Sequence, residues 1–155
     1  MNNLILVRHG QSLWNKERKF TGFMDIELTE KGKSEARHAG RLIKKLNIEF
    51  DAYFTSELKR AINSLNLILE VLDKPDVEIN KAWELNERHY GDLTGKNKDE
   101  IIEKYGIDEL RYYLMKEVSH GSDGNISLKS LENCINSDLA NNYGNLCQRI
   151  FSFIK

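Results

Sequence analysis

Residues 8–10 read Arg-His-Gly and follow the short apolar run 3–7, NLILV. A neutral histidine with one free ring nitrogen is a nucleophile. An arginine beside it suits a phosphate, because the guanidinium fork meets two oxygens and keeps its charge. Gly10 lets the backbone approach a ligand closely. Ser12 and Asn15 add neutral donors to the same loop. Three letters alone also fit a polar residue at a strand end with no chemical task. A second His-Gly pair stands in EVSHGSDGN (117–125), so a two-histidine site centred on His9 and His120 has to be weighed.

The elements must place these groups. Residues 3–7 read as a buried strand that breaks into the Arg8-His9-Gly10 loop. In a parallel α/β sheet, ligands bind beyond the carboxyl ends of strands, which is where His9 would then lie. Thr29 is a candidate N-cap for a helix with Ala36, Ala39, Gly40, Ile43 and Leu46 on one face. FDAYFTS (50–56) reads as a second strand. Ser56 then caps a helix with Leu58, Ile62, Leu65, Leu69 and Leu72 on its apolar side. Pro75 stops it, and VEI (77–79) reads as a third strand. This alternation is that of a parallel α/β sheet. Asn97 with Glu100 marks another helix start, Gly106 its stop, and 108–116 a further helix. Residues 117–127 read as a loop. Two helices, one weak and one stronger, follow over 128–154, and the last forty residues hold no convincing strand.

Composition excludes several classes. The 155 residues carry 23 Lys+Arg against 24 Asp+Glu, which is not the basic footprint of a nucleic-acid binder. No apolar stretch is long enough to span a membrane, and no leader pattern is present, so a cytoplasmic setting is expected. Cys134 and Cys147 have neither redox nor zinc spacing. His9, His38, His89 and His120 lack metal-ligand spacing, so no metal is expected. Pro75 is the single proline, and no linker divides the chain. One domain over 1–155 is expected.

Longer strings sharpen the reading. LVRHGQSLWN (6–15), FTGFMDIELTEKG (20–32), TSELKRA (55–61) and LNERHYGDLTGKNK (85–98) resemble, in order, the cofactor-dependent phosphoglycerate mutase branch of the histidine phosphatase superfamily. The resemblance covers residues 3–106 and leaves a divergent tail, 107–155. It implies a three-layer α/β sandwich with a mostly parallel sheet. It also implies interconversion of 3-phosphoglycerate and 2-phosphoglycerate through phosphohistidine at His9, primed by 2,3-bisphosphoglycerate. By the same resemblance, Glu87 is the general acid/base. Arg8, Gly10, Gln11, Ser12, Asn15, Thr21, Gly22, Arg60, Arg88, His89, Tyr90 and Lys98 hold phosphate and carboxylate groups or support those that do. Homodimer formation is a further expectation.

After KYGIDEL the pattern departs. Leu114 and Met115 stand where the family has an arginine pair. The chain ends at Lys155, short of the family's strand with its second catalytic histidine, which lies beside the His9 strand. Residues 3–7 would then present an unpaired edge. His120 follows a lone Val118 rather than an apolar run, so it reads as a loop histidine and not as the missing partner. Two other readings stay open: a residual small-molecule phosphatase, and a non-catalytic degenerate remnant.

Overall fold

A computed structural model describes residues 3–117, 124 and 126–154. They form two compact units, Met1–Glu87 and Arg88–Lys155.

In the first unit Ser12 opens a single helical turn, α1 (Leu13–Lys16), accepting the Asn15 N–H. α2 (Glu30–Lys45) starts at Thr29, whose hydroxyl accepts the Gly32 N–H at 3.0 Å. This is the N-cap expected from the sequence, and it satisfies a helix donor that has no partner within the helix. β1 (Tyr53–Thr55) and β2 (Ile79–Lys81) pair in parallel, Phe54 opposite Asn80. The crossover between them is α3 (Lys59–Val71). α3 packs on α2, burying Ala36, Gly40, Ile68 and Leu69.

Three local expectations are corrected here. Ser56 does not cap α3. The Lys59 N–H is met instead by Asp25 Oδ1 at 2.7 Å, a carboxylate brought from 34 residues upstream. The third strand lies at Ile79–Lys81 rather than 77–79, in register with Tyr53–Thr55. Residues 3–7 join no sheet, and Leu4 and Leu6 are 82% and 85% exposed. A strand is stabilised through its ladder, and no described residue supplies a neighbour for this one.

The second unit is helical. Asn97 accepts the Asp99 and Glu100 N–H groups at the start of α4 (Lys98–Tyr105), and Gly106 ends it. α5 (Ile107–Glu117) carries the buried Leu110 and Tyr113. The two expected C-terminal helices are one continuous run: α6 (Leu128–Cys134), a widened π segment (Ile135–Gly144) and α7 (Asn145–Phe153). The widening falls in the asparagine-rich stretch, where α-helical preference is weak. Asp138 ties it to α5, its Oδ2 accepting from Tyr112 Oη at 3.1 Å and from Lys116 Nζ. His120 lies outside the described residues.

Candidate active site

The site in the first unit is built around His9. Its Nδ1 lies 2.7 Å from the Gly10 carbonyl oxygen, and its Nε2 lies 3.2 Å from Arg60 Nε. A carbonyl can only accept and a guanidinium can only donate. Nδ1 therefore carries the proton and Nε2 presents its lone pair. The imidazole is neutral and nucleophilic at Nε2. Its proton affinity is lowered from the ordinary value of 6.5, mainly because burial disfavours the charged ring. The bond to the Gly10 carbonyl opposes that shift, the Arg60 and Arg8 charges add to it, and Glu87 opposes it.

Arg60 comes from the first turn of α3 and is 1% exposed. Its Nη1 donates to the Met24 carbonyl and one Nη2 proton to the Gly22 carbonyl, each at 2.8 Å. Nη2 also reaches Glu87 Oε2 at 3.0 Å. Four of about five N–H donors are thus committed, and they aim Nε of the guanidinium at His9. Gly22 can supply its carbonyl because it sits at φ +54°, a conformation costly for other residues. Thr21, one residue earlier, is buried, and its Oγ1 has no hydrogen-bond partner among the described residues. A buried hydroxyl left without a partner is unusual and suits a ligand oxygen.

The loop beyond His9 is fixed from two sides. A Cβ on Gly10 would lie 2.1 Å from the Gly32 carbonyl oxygen, so backbone meets backbone with no room for a side chain. The Gln11 N–H donates to Glu35 Oε2 at 2.9 Å. Gln11 Oε1 and its backbone oxygen both accept from the Thr29 hydroxyl. Ser12, expected as a ligand donor, is fully buried and caps α1, donating to Asn15 Oδ1. Arg8, His9, Gln11, Asn15 and Glu35 line an open cleft of about 330 Å³. Arg8 is exposed there. Glu35, Gly32 and Ser64 were not singled out by sequence reading. Each works through a backbone contact that no residue pattern displays.

Arg88, His89, Tyr90 and Lys98 belong to the second unit. Arg88 donates to the Leu114 carbonyl at 3.1 Å and lies 5.8 Å from the Tyr90 ring centre. His89 Nδ1 accepts the Gly91 N–H at 2.9 Å. Lys98 is the first residue of α4. Leu114 is half-buried on α5, and Met115 is exposed there.

A histidine in a loop upstream of the β1–α3–β2 crossover, backed by a buried arginine from α3, is an arrangement suited to phosphoryl transfer. The chain belongs to the histidine phosphatase superfamily (branch 1), whose profile matches residues 4–124. It is 55% identical over 111 residues to the 2,3-bisphosphoglycerate-dependent phosphoglycerate mutase of Blochmanniella pennsylvanica (strain BPEN), covering 72% of this chain and 48% of that protein. Against the protein so named from Hamiltonella defensa subsp. Acyrthosiphon pisum (strain 5AT) it is 51% identical over 113 residues, 73% of this chain and 45% of the relative. The chain therefore spans about half the length of the curated relatives it matches. The crystal structure of phosphoglycerate mutase from Bacillus anthracis str. Sterne shares the fold, with a TM-score of 0.60 at 23% identity, covering 83% of this chain and 53% of that one.

Proposed function

We propose that this chain carries the phosphoryl-transfer half of a phosphoglycerate mutase, with His9 Nε2 as the atom that takes and returns the phosphoryl group. The observation that carries the reading is His9 Nε2 lying 3.2 Å from the Nε of the buried Arg60, a donor that Nε2 can meet only as an acceptor. Phosphoryl transfer needs an in-line nucleophile and positive charge on the equatorial oxygens. Arg60 Nε already points at Nε2, so it can turn from the ring to a phosphoryl oxygen bonded there. Arg8, on the exposed side of the cleft, adds a second charge. Glu87 shares the Arg60 guanidinium and serves as the acid/base that takes the proton of the substrate hydroxyl and gives it back.

The chemistry of these donors fits a phosphate ester, and the orphaned Thr21 hydroxyl offers one more contact. When bound, 2,3-bisphosphoglycerate supplies the phosphoryl group that primes His9. Gly10, Gln11, Ser12, Asn15 and Gly22 shape the loops around it. Arg88, Tyr90 and Lys98 hold the phosphate and carboxylate of the phosphoglycerate in this reading, with His89 in support. The setting is cytoplasmic and the assembly a homodimer, the latter checked by sedimentation velocity.

Incubating the protein with labelled 2,3-bisphosphoglycerate should leave an acid-labile phosphate on His9 that His9→Ala abolishes. A coupled enolase assay should then detect 2-phosphoglycerate made from 3-phosphoglycerate. Folded protein that takes up no label at His9 would sink the reading. Label followed by free phosphate and no mutase product would turn it into a phosphatase.

A further inference from the structure

We propose that Ser64 is the positioning residue that holds His9 in its nucleophilic tautomer; this rests on the reading that Nε2 is the nucleophile. Ser64 lies on α3, one turn beyond Arg60, and is buried. Its hydroxyl has one proton, which goes to the Arg60 carbonyl at 2.7 Å. That bond alone is ordinary for a helical serine and would be structural. The second bond is not local. The Gly10 N–H donates to Ser64 Oγ at 3.1 Å, across 54 residues of sequence.

The two bonds close a ring. His9 Nδ1–H donates to the Gly10 carbonyl, and Gly10 N–H donates to Ser64 Oγ. Ser64 Oγ–H donates to the Arg60 carbonyl, and Arg60 Nε–H returns to His9 Nε2. Every donor runs the same way round. Moving the imidazole proton to Nε2 would set it against the Arg60 Nε–H. It would also leave Nδ1 facing a carbonyl lone pair. Both mismatches persist only while the Gly10 backbone and α3 keep their spacing, and Ser64 bonds to the backbone of each. With the hydroxyl gone, the Gly10 N–H faces a buried site that offers it no acceptor. The loop then has reason to turn, and the ring loses its fixed direction.

The test is the ¹⁵N spectrum of the imidazole nitrogens in the full chain, which reports the tautomer without requiring phosphoryl transfer. His9 should be mainly Nδ1–H in the native protein and a mixture in Ser64→Ala. Ser64→Thr keeps the hydroxyl and should keep the native pattern. His38, exposed on α2, is the internal control and should not change. Labelling of His9 by 2,3-bisphosphoglycerate should slow roughly tenfold or more in Ser64→Ala, as expected for a displaced nucleophile. A native tautomer in folded Ser64→Ala, or a lost one in folded Ser64→Thr, overturns the proposal. Should Ser64→Ala not fold, Ser64→Thr decides it, together with amide exchange at Gly10. Slow exchange supports the ring, and unprotected exchange refutes it. Native protein that never takes up label removes the functional reading and leaves the tautomer result standing.

Discussion

At the scale of single residues, the roles proposed for His9 and Glu87 differ, and the two should respond differently to change. Folded His9 binds a proton less readily than it does in the unfolded chain, because burial disfavours the imidazolium. Its contribution to stability is therefore full above the ordinary value of 6.5 and is lost as pH falls from there through the lowered folded value. Thermal melts taken between pH 7.5 and pH 5, about the range where histidine titrates, should show an acid-side loss that His9→Gln reduces. For the same reason His9 should remain competent for labelling somewhat below the ordinary histidine range. Glu87→Gln keeps an oxygen for Arg60 Nη2 but cannot shuttle a proton. Mutase turnover should drop by roughly 10²–10⁴-fold while the melting temperature stays close to native. An equal loss of both would show Glu87 to be structural. The candidate nucleophile was legible at this scale because Arg8, His9 and Gly10 are contiguous. Which ring nitrogen bears the proton was not legible, since it depends on Gly10 and Arg60 as hydrogen-bond partners.

At the scale of elements, the first turn of α2 is the seat of the His9 loop. A Cβ on Gly32 would lie 2.2 Å from the Gln11 carbonyl oxygen, and neither backbone has a flexible end to move aside. Gly32→Ala gains about 1 kcal/mol of helix propensity. Overpacking should cost about 1–3 kcal/mol, and so outweigh that gain in most of its range. Urea unfolding should show a lower midpoint, and His9 labelling should slow with it. A more stable variant would mean that the loop does not rest on this turn. The helix itself was legible from Thr29 and its apolar spacing. The start of α3 was misread at Ser56 because its cap, Asp25, is remote in sequence. Capping from a distant loop leaves no local pattern.

At the scale of the whole molecule, the described sheet has two strands, and each unit exposes large apolar groups. Leu4, Leu6 and Phe54 are exposed in the first unit, and Phe151, Phe153 and Ile154 in the second. Exposed apolar edges of this kind favour association. Replacing Leu4 and Leu6 together by lysine should reduce light scattering on concentration and weaken binding of an apolar dye. It should leave stability within about 0.5 kcal/mol per site, as for other exposed positions. A large loss of stability would instead show that these side chains are buried in solution. No helix among the described residues is long and apolar enough to cross a membrane.

The sequence by itself determined α2, β1 and α3, the caps at Thr29 and Asn97, and the candidate nucleophile, with β2 placed two residues early. Hydrophobic period, turn residues and contiguous motifs are local, and one chain is enough to display them. Tertiary structure decided the rest: that residues 3–7 stay outside the sheet, that Arg60 spends most of its donors on the carbonyls of Gly22 and Met24 and on Glu87, and that Ser64 closes the ring through His9. Each depends on which groups meet across tens of residues. A hydrogen bond between distant residues has no spacing in the sequence from which it could be read.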